Sequence, residues 1–137
     1  MKKLLIIFAV VVLFIFVSCV NSNTPEGTVS EFYTHMQKNE YREALSLLNL
    51  GEDDASDSDE KIDQLVTEME KNQSDDDMIT KFEIISSENV KKGDDEYVKV
   101  KTKYYTKSNI DGEEEIFNVY KDKDGQYKIT PCFGENK

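Results

Sequence analysis

Hydrophobic positions along the chain change their period twice. Residues 4–17 are apolar without a break. Between residues 24 and 69 the apolar positions recur every three or four residues, which is the spacing of one helix face. From residue 81 they alternate with polar ones, which is the spacing of a strand with one face buried. An apolar leader, a block of helices and a block of strands are therefore expected, in that order.

Thr24-Pro25-Glu26 is a helix start. Thr24 can cap, Pro25 suits the first helical position, and Glu26 suits the positive end of the helix dipole. Val29, Phe32, Tyr33 and Met36 then form one apolar stripe, broken by Lys38-Asn39. A second helix is expected over residues 40–50, with Tyr41, Ala44, Leu45 and Leu48 on one face and Gly51 as its stop. Residues 52–59 are acidic and small, the composition of a linker. Asp57, with Glu60 three residues on, can form a capping box for a third helix. That helix carries Ile62, Leu65, Val66 and Met69, and an acidic run over residues 72–77 ends it.

Phe82, Ile84 and Ser86 are expected on one face of the first strand. The clearest strand spans residues 96–107. Val98, Val100, Thr102 and Tyr104 point one way, and Tyr97, Lys99, Lys101, Lys103 and Tyr105 the other. Gly93-Asp94-Asp95, residues 109–112 and residues 122–125 are turns, and Asp124-Gly125 is a strong hairpin signal. Further strands are expected over residues 113–121 and 126–130, the last ended by Pro131. Helices followed by a meander of about four antiparallel strands argue an α+β fold.

The leader fits a processing signal. Lys2 and Lys3 give a positive start, and the apolar run of 14 residues is shorter than the roughly 20 needed to span a bilayer. It ends Phe16-Val17-Ser18-Cys19. This pattern resembles the lipobox of bacterial lipoproteins. The resemblance implies a signal peptide over 1–18, diacylglyceryl and fatty acyl (palmitate-type) modification at Cys19, a tether over 19–23 and a domain over 24–137. The alternative is an ordinary secretory signal with an incidental cysteine. Two or three acyl chains hold a protein stably at a membrane where one is marginal.

The mature part resembles the nuclear transport factor two-like cone fold, and within it a group of small bacterial lipoproteins. The matching residues are Pro25, Val29 and Phe32-Tyr33, then Tyr41-x-x-Ala44-x-x-Leu47-Leu48, then Val98-Lys99-Val100. Phe117-x-Val119-Tyr120-Lys121 follows, leading into Asp124-Gly125-Gln126-Tyr127-Lys128-Ile129. The resemblance implies helices packed in the concave face of a curved sheet. It would place Phe32, Tyr33, Tyr41, Leu48 and Tyr104 around any pocket there. It carries over no catalytic motif and no cofactor.

Charge narrows the partners. The chain of 137 residues carries 17 Lys and Arg against 28 Asp and Glu, a net charge of −11. Loss of Lys2 and Lys3 with the leader takes this to −13. Such a chain is repelled by nucleic acid and by anionic lipid, so lipid at Cys19 is the expected membrane contact. With Cys19 modified, Cys132 has no partner in the chain. It is then a buried thiol, an exposed reactive thiol or an intermolecular bridge.

The remaining candidates each have a bland reading. His35, the one histidine, could serve as a general base or be a half-packed side chain, and no partner for it is evident. Ketosteroid isomerases of the cone fold pair a carboxylate with tyrosines. Here Tyr33, Tyr41 and Tyr104 are present, but no spacing selects an acid to go with them. Lys99, Lys101, Lys103 and Lys107 form a basic row with Tyr97 and Tyr105, the mix of a single-strand nucleic-acid platform. Glu113-Glu114-Glu115 on the next strand can instead pair with those lysines. The runs Asp53-Asp54, Asp57, Asp59 and Asp75-Asp76-Asp77 lack the alternation of a calcium loop.

These features argue a lipid-anchored extracytoplasmic binding or interaction module. Its location would be the cell envelope, or the outer membrane in a Gram-negative cell because Val20 follows the cysteine. The expected partners are the membrane and a second copy or another envelope protein. An enzyme acting on a small molecule and a purely structural envelope protein are the other two classes.

Overall fold

A computed structural model describes residues 23–50 and 55–130. The leader, Cys19, Gly51, the start of the acidic linker, Pro131 and Cys132 lie outside the described residues.

Thr24 opens the first helix as expected. Its hydroxyl accepts from the Gly27 amide at 3.0 Å, which satisfies one of the free N–H groups of the first turn. Helix α1 is Pro25–Gln37. Its stripe buries Val29 and Tyr33 fully and Phe32 partly. Asn39 adopts φ 60°, a left-handed conformation that Asn tolerates better than most residues, and turns the chain into α2, Tyr41–Ser46.

Helix α2 is shorter than its apolar spacing suggested. The segment after it becomes strand-like, since Ile129 donates to the Leu47 carbonyl at 2.9 Å and accepts from the Asn49 amide at 2.7 Å. These bonds form a parallel bridge of Leu48 with Ile129. Sheet pairing wins there over one more helical turn, because it satisfies both partners' backbone groups at once.

Helix α3, Ala55–Asn72, starts within the stretch read as linker. Asp57 therefore lies inside the helix and is not its cap. Acidic residues in a first turn are compatible with the positive end of the helix dipole, so an acidic run does not by itself exclude helix. Ile62 is buried and Leu65, Val66 and Met69 are half-buried. Helix α3 packs on α2, and Arg42 pairs with Asp63 across the contact. A short 3-10 turn, Asp75–Asp77, follows.

Four strands complete the chain: β1 Ile79–Lys92, β2 Asp95–Thr106, β3 Glu113–Lys121 and β4 Tyr127–Thr130. They form an open antiparallel meander in sequence order. The α+β reading holds: the helices lie on one face of the sheet. That inner face carries Val98, Val100, Thr102 and Tyr104 of β2, opposite Val119, Phe117, Glu115 and Glu113 of β3.

Strand β1 departs from simple alternation. Ile84 pairs with Thr102, but Ser86 pairs with Lys101, with a register shift between them. The extra residue, Ile85, is a β-bulge that reverses the facing of everything after it. Ser86 consequently lies on the outer face with Lys101, not with Phe82 and Ile84. Of the three glutamates that begin β3, only Glu114 lies on the lysine face, where it reaches Lys101 at 3.1 Å. Glu113 and Glu115 point inward because a strand alternates its faces.

Two glycines test the turns differently. Gly93 has φ +65° and open space around it, whereas at Gly112 (φ +82°) an added Cβ would lie 2.7 Å from the Tyr105 ring. Ala at either position takes a left-handed penalty of roughly 1–2 kcal/mol. Gly112→Ala adds a steric clash, so its urea midpoint should fall clearly further than that of Gly93→Ala. Equal losses would show that the Tyr105 ring moves aside freely.

Candidate functional site

The inner face is centred on Tyr33. Its ring stacks on Phe82 at 5.0 Å between centroids and meets Phe117 edge-on at 5.6 Å. Phe32 also meets Phe117 edge-on, at 5.8 Å, and Tyr104 lies 6.1 Å from Tyr33. Such offset and edge-on pairs add to the burial of the rings themselves. The result is a closed aromatic cluster where α1 crosses β1, β2 and β3.

A hydroxyl buried at that depth must be bonded to be tolerated. The Tyr33 hydroxyl lies 2.8 Å from the Thr102 hydroxyl and donates to the Glu115 carboxylate at 3.1 Å. Thr102 also reaches the Glu115 carbonyl at 3.2 Å. One row further along, the Tyr104 hydroxyl donates to Glu113 at 3.0 Å.

The electrostatics follow from burial. Desolvation pushes the Tyr33 phenol far above its usual value; the Thr102 hydroxyl opposes this and the Glu115 charge adds to it. Tyr104 is pushed up to about 12, first by burial and then by Glu113. Partial desolvation raises the Glu115 carboxyl, against the hydrogen bond from Tyr33 and with the help of the Glu113 charge, while solvent at its exposed side limits the effect. Two tyrosine–carboxylate pairs thus sit side by side on the sheet, with the hydroxyls protonated at neutral pH.

Of the five residues expected around a pocket, the structure brings Phe32, Tyr33 and Tyr104 into this cluster, with Leu48 packed at its edge. Tyr41 is buried elsewhere. Its hydroxyl donates to Asn39 at 2.9 Å, and its phenol is raised by burial and by Glu70 of α3. Phe82, Phe117 and Glu115 belong to the site although sequence reasoning did not select them. Phe82 and Phe117 alternate correctly in their strands, so the signal was there. Glu115 could be found only by counting inward positions back from Phe117.

His35 does have a partner. Its Nδ1 lies 2.6 Å from Glu40 Oε2, which ties the last turn of α1 to the residue before α2. The half-exposed pair bridges a helix corner and lies apart from the aromatic cluster.

Beyond the reach of α1 the inner face stays open. A hollow of about 400 Å³ opens beside the half-buried Val98, with the buried Val119 at its base and Asn89, Lys91, Glu96, Lys121 and Tyr127 around it. Among the described residues no three acidic, cysteine or histidine side chains converge as a metal site. None of the described helices is long and apolar enough to cross a membrane.

The raised groups fix the direction of the pH dependence. Since Glu115 holds its proton more tightly when folded, its contribution to stability is present below about pH 4 and is lost as the pH climbs through the folded value. Glu115→Gln should therefore be more stable than the native chain at pH 7, with the gain shrinking at pH 3, as read by urea midpoints. At the other end, the tyrosine contribution is complete below about pH 10 and lost above it. Tyrosinate absorbance in the folded protein should show Tyr33, Tyr41 and Tyr104 ionising after the other tyrosines. A single tyrosine step near the ordinary value would contradict the buried network. Against known proteins, the chain matches no family model, no curated protein and no solved structure.

Proposed function

We propose that this chain is a lipid-anchored, extracytoplasmic binding or interaction module whose α+β domain is of the nuclear transport factor two-like cone type. Three features of the sequence support the anchor: the short apolar leader, the small Ser18 and Cys19 directly after it. The helices-then-meander order and the packing of α1 against the sheet support the cone.

The observation that carries the binding reading is the closure of the helix-covered face. Phe32, Tyr33, Phe82, Tyr104 and Phe117 fill the place where a cone-fold enzyme would hold its substrate. The Tyr33 and Tyr104 hydroxyls are already engaged by Thr102, Glu115 and Glu113. Recognition then falls to the surfaces left open. One is the end of the sheet past α1. The other is the outer face, where Ile116 is 51% exposed beside the lysine row.

Cys19→Ala separates this reading from an ordinary exported protein. With the anchor, the native chain partitions into the membrane fraction and gains the mass of its acyl groups. The variant should lose both and accumulate with its leader uncut. A variant that is processed and distributed as the native chain would rule the anchor out.

A further inference from the structure

The hollow past α1 is unusual for the inner face of a sheet. Such a face is ordinarily apolar, and here its next row in fact is: Val98 opposite Val119, and Val119 opposite Ile129. The row beyond switches to charge. Lys91 pairs with Glu96, and Lys121 pairs with Tyr127. The Lys91 ammonium sits 3.6 Å from the Glu96 carboxylate, so those two charges offset each other. Lys121 lies 5.6 Å from the centre of the Tyr127 ring and makes no ion pair among the described residues. The hollow thus offers an apolar contact at Val98, an aromatic wall and one cation without a carboxylate among the described residues, in a chain whose net charge is −11.

Its position in the fold adds a second constraint. Gln37, at the end of α1, reaches the Thr80 carbonyl, and Tyr33, one turn earlier, lies on Phe82 and Tyr104. Helix α1 therefore runs with its C-terminus toward Thr80 and its N-terminus toward the row of Val98 and Val119. Thr24 therefore lies at the end of the domain where the hollow opens. Four residues separate Cys19 from Thr24, and the five steps between them span at most roughly 17 Å. An anchor on Cys19 holds this end of the sheet near the membrane surface.

We propose that the hollow binds a single-chain amphiphile with one anionic head, taken from the membrane surface. The acyl body lies against Val98, above the buried Val119, and the head pairs with Lys121 beside the Tyr127 ring. The volume, about 400 Å³, falls in the ordinary range for small-molecule sites. The membrane source rests on the anchor at Cys19; the chemistry of the hollow does not.

Photo-crosslinking on the full lipidated protein tests this. In one arm the protein sits in phosphatidylcholine vesicles that contain diazirine-bearing hexadecanoate. A parallel sample contains the matching hexadecyl trimethylammonium probe. In a second arm, diazirine-bearing octanoate is added without vesicles to protein in nanodiscs that lack free amphiphile. The expected result is carboxylate label on peptides from residues 89–98 and 119–127 in both arms, with little from the cationic probe. Lys121→Gln should lower that label about tenfold, the worth of a hydrogen bond to a charged group, and Lys123→Gln, in the adjacent turn, should leave it unchanged. Label elsewhere, equal label from the cation, or native labelling of Lys121→Gln overturns the site. Label from octanoate but not from hexadecanoate overturns the membrane source. Partition of Cys19→Ala then reports separately whether the anchor itself has failed.

Discussion

The domain depends on how one phenol is buried. Tyr33 is 1% exposed, which gives the core its largest hydrophobic contribution and its most costly polar atom together. The ring is held by Phe82, Phe117 and Phe32, while the hydroxyl requires Thr102 and Glu115 at specific positions on two neighbouring strands. Apolar packing alone tolerates small shifts of helix against sheet. A bonded hydroxyl does not, because losing its partners leaves a buried donor unsatisfied. Tyr33 thereby sets the register of α1 on the sheet, and with it the part of the inner face that α1 covers.

That coverage divides the sheet. Under α1 the aromatic rings pack closed, and the two carboxylates at the solvent edge of that cluster are engaged by tyrosines. Past α1 the same strands continue with mixed charge around the half-buried Val98. The boundary follows from lengths: α1 has 13 residues at about 1.5 Å each, whereas β1 has 14 and β2 12 at about 3.3 Å each. A helix of that length cannot cover strands twice as long.

Much of this was legible in the sequence, and two of the failures share a cause. The cap at Thr24, the facing of β2 and the turns at Gly93, Gly112 and Gly125 are local, set by neighbours within four residues. Ser86 and the end of α2 are not. Ser86 changes face because Ile85 is bulged out against β2. Helix α2 stops early because β4, about 80 residues later in sequence, claims its next backbone groups. Nothing in the spacing near Leu48 encodes that competition. The start of α3 was missed for a different reason: its acidic residues were read as linker composition, although they suit a first turn.

The bridge between Leu48 and Ile129 also bears on when the domain can form. Strand β4 has only four residues, too few to hold to β3 alone, and its other edge is fixed by the segment that follows α2. A chain that becomes free to fold from its N-terminus onward has its helices, β1 and β2 before Ile129 arrives. Until then one side of the Val119 floor is bare and the segment after α2 has no strand to join. Closing a loop of that length adds to the entropic cost and slows the last step. The contact that completes the domain is therefore also the one that must wait for its last strand.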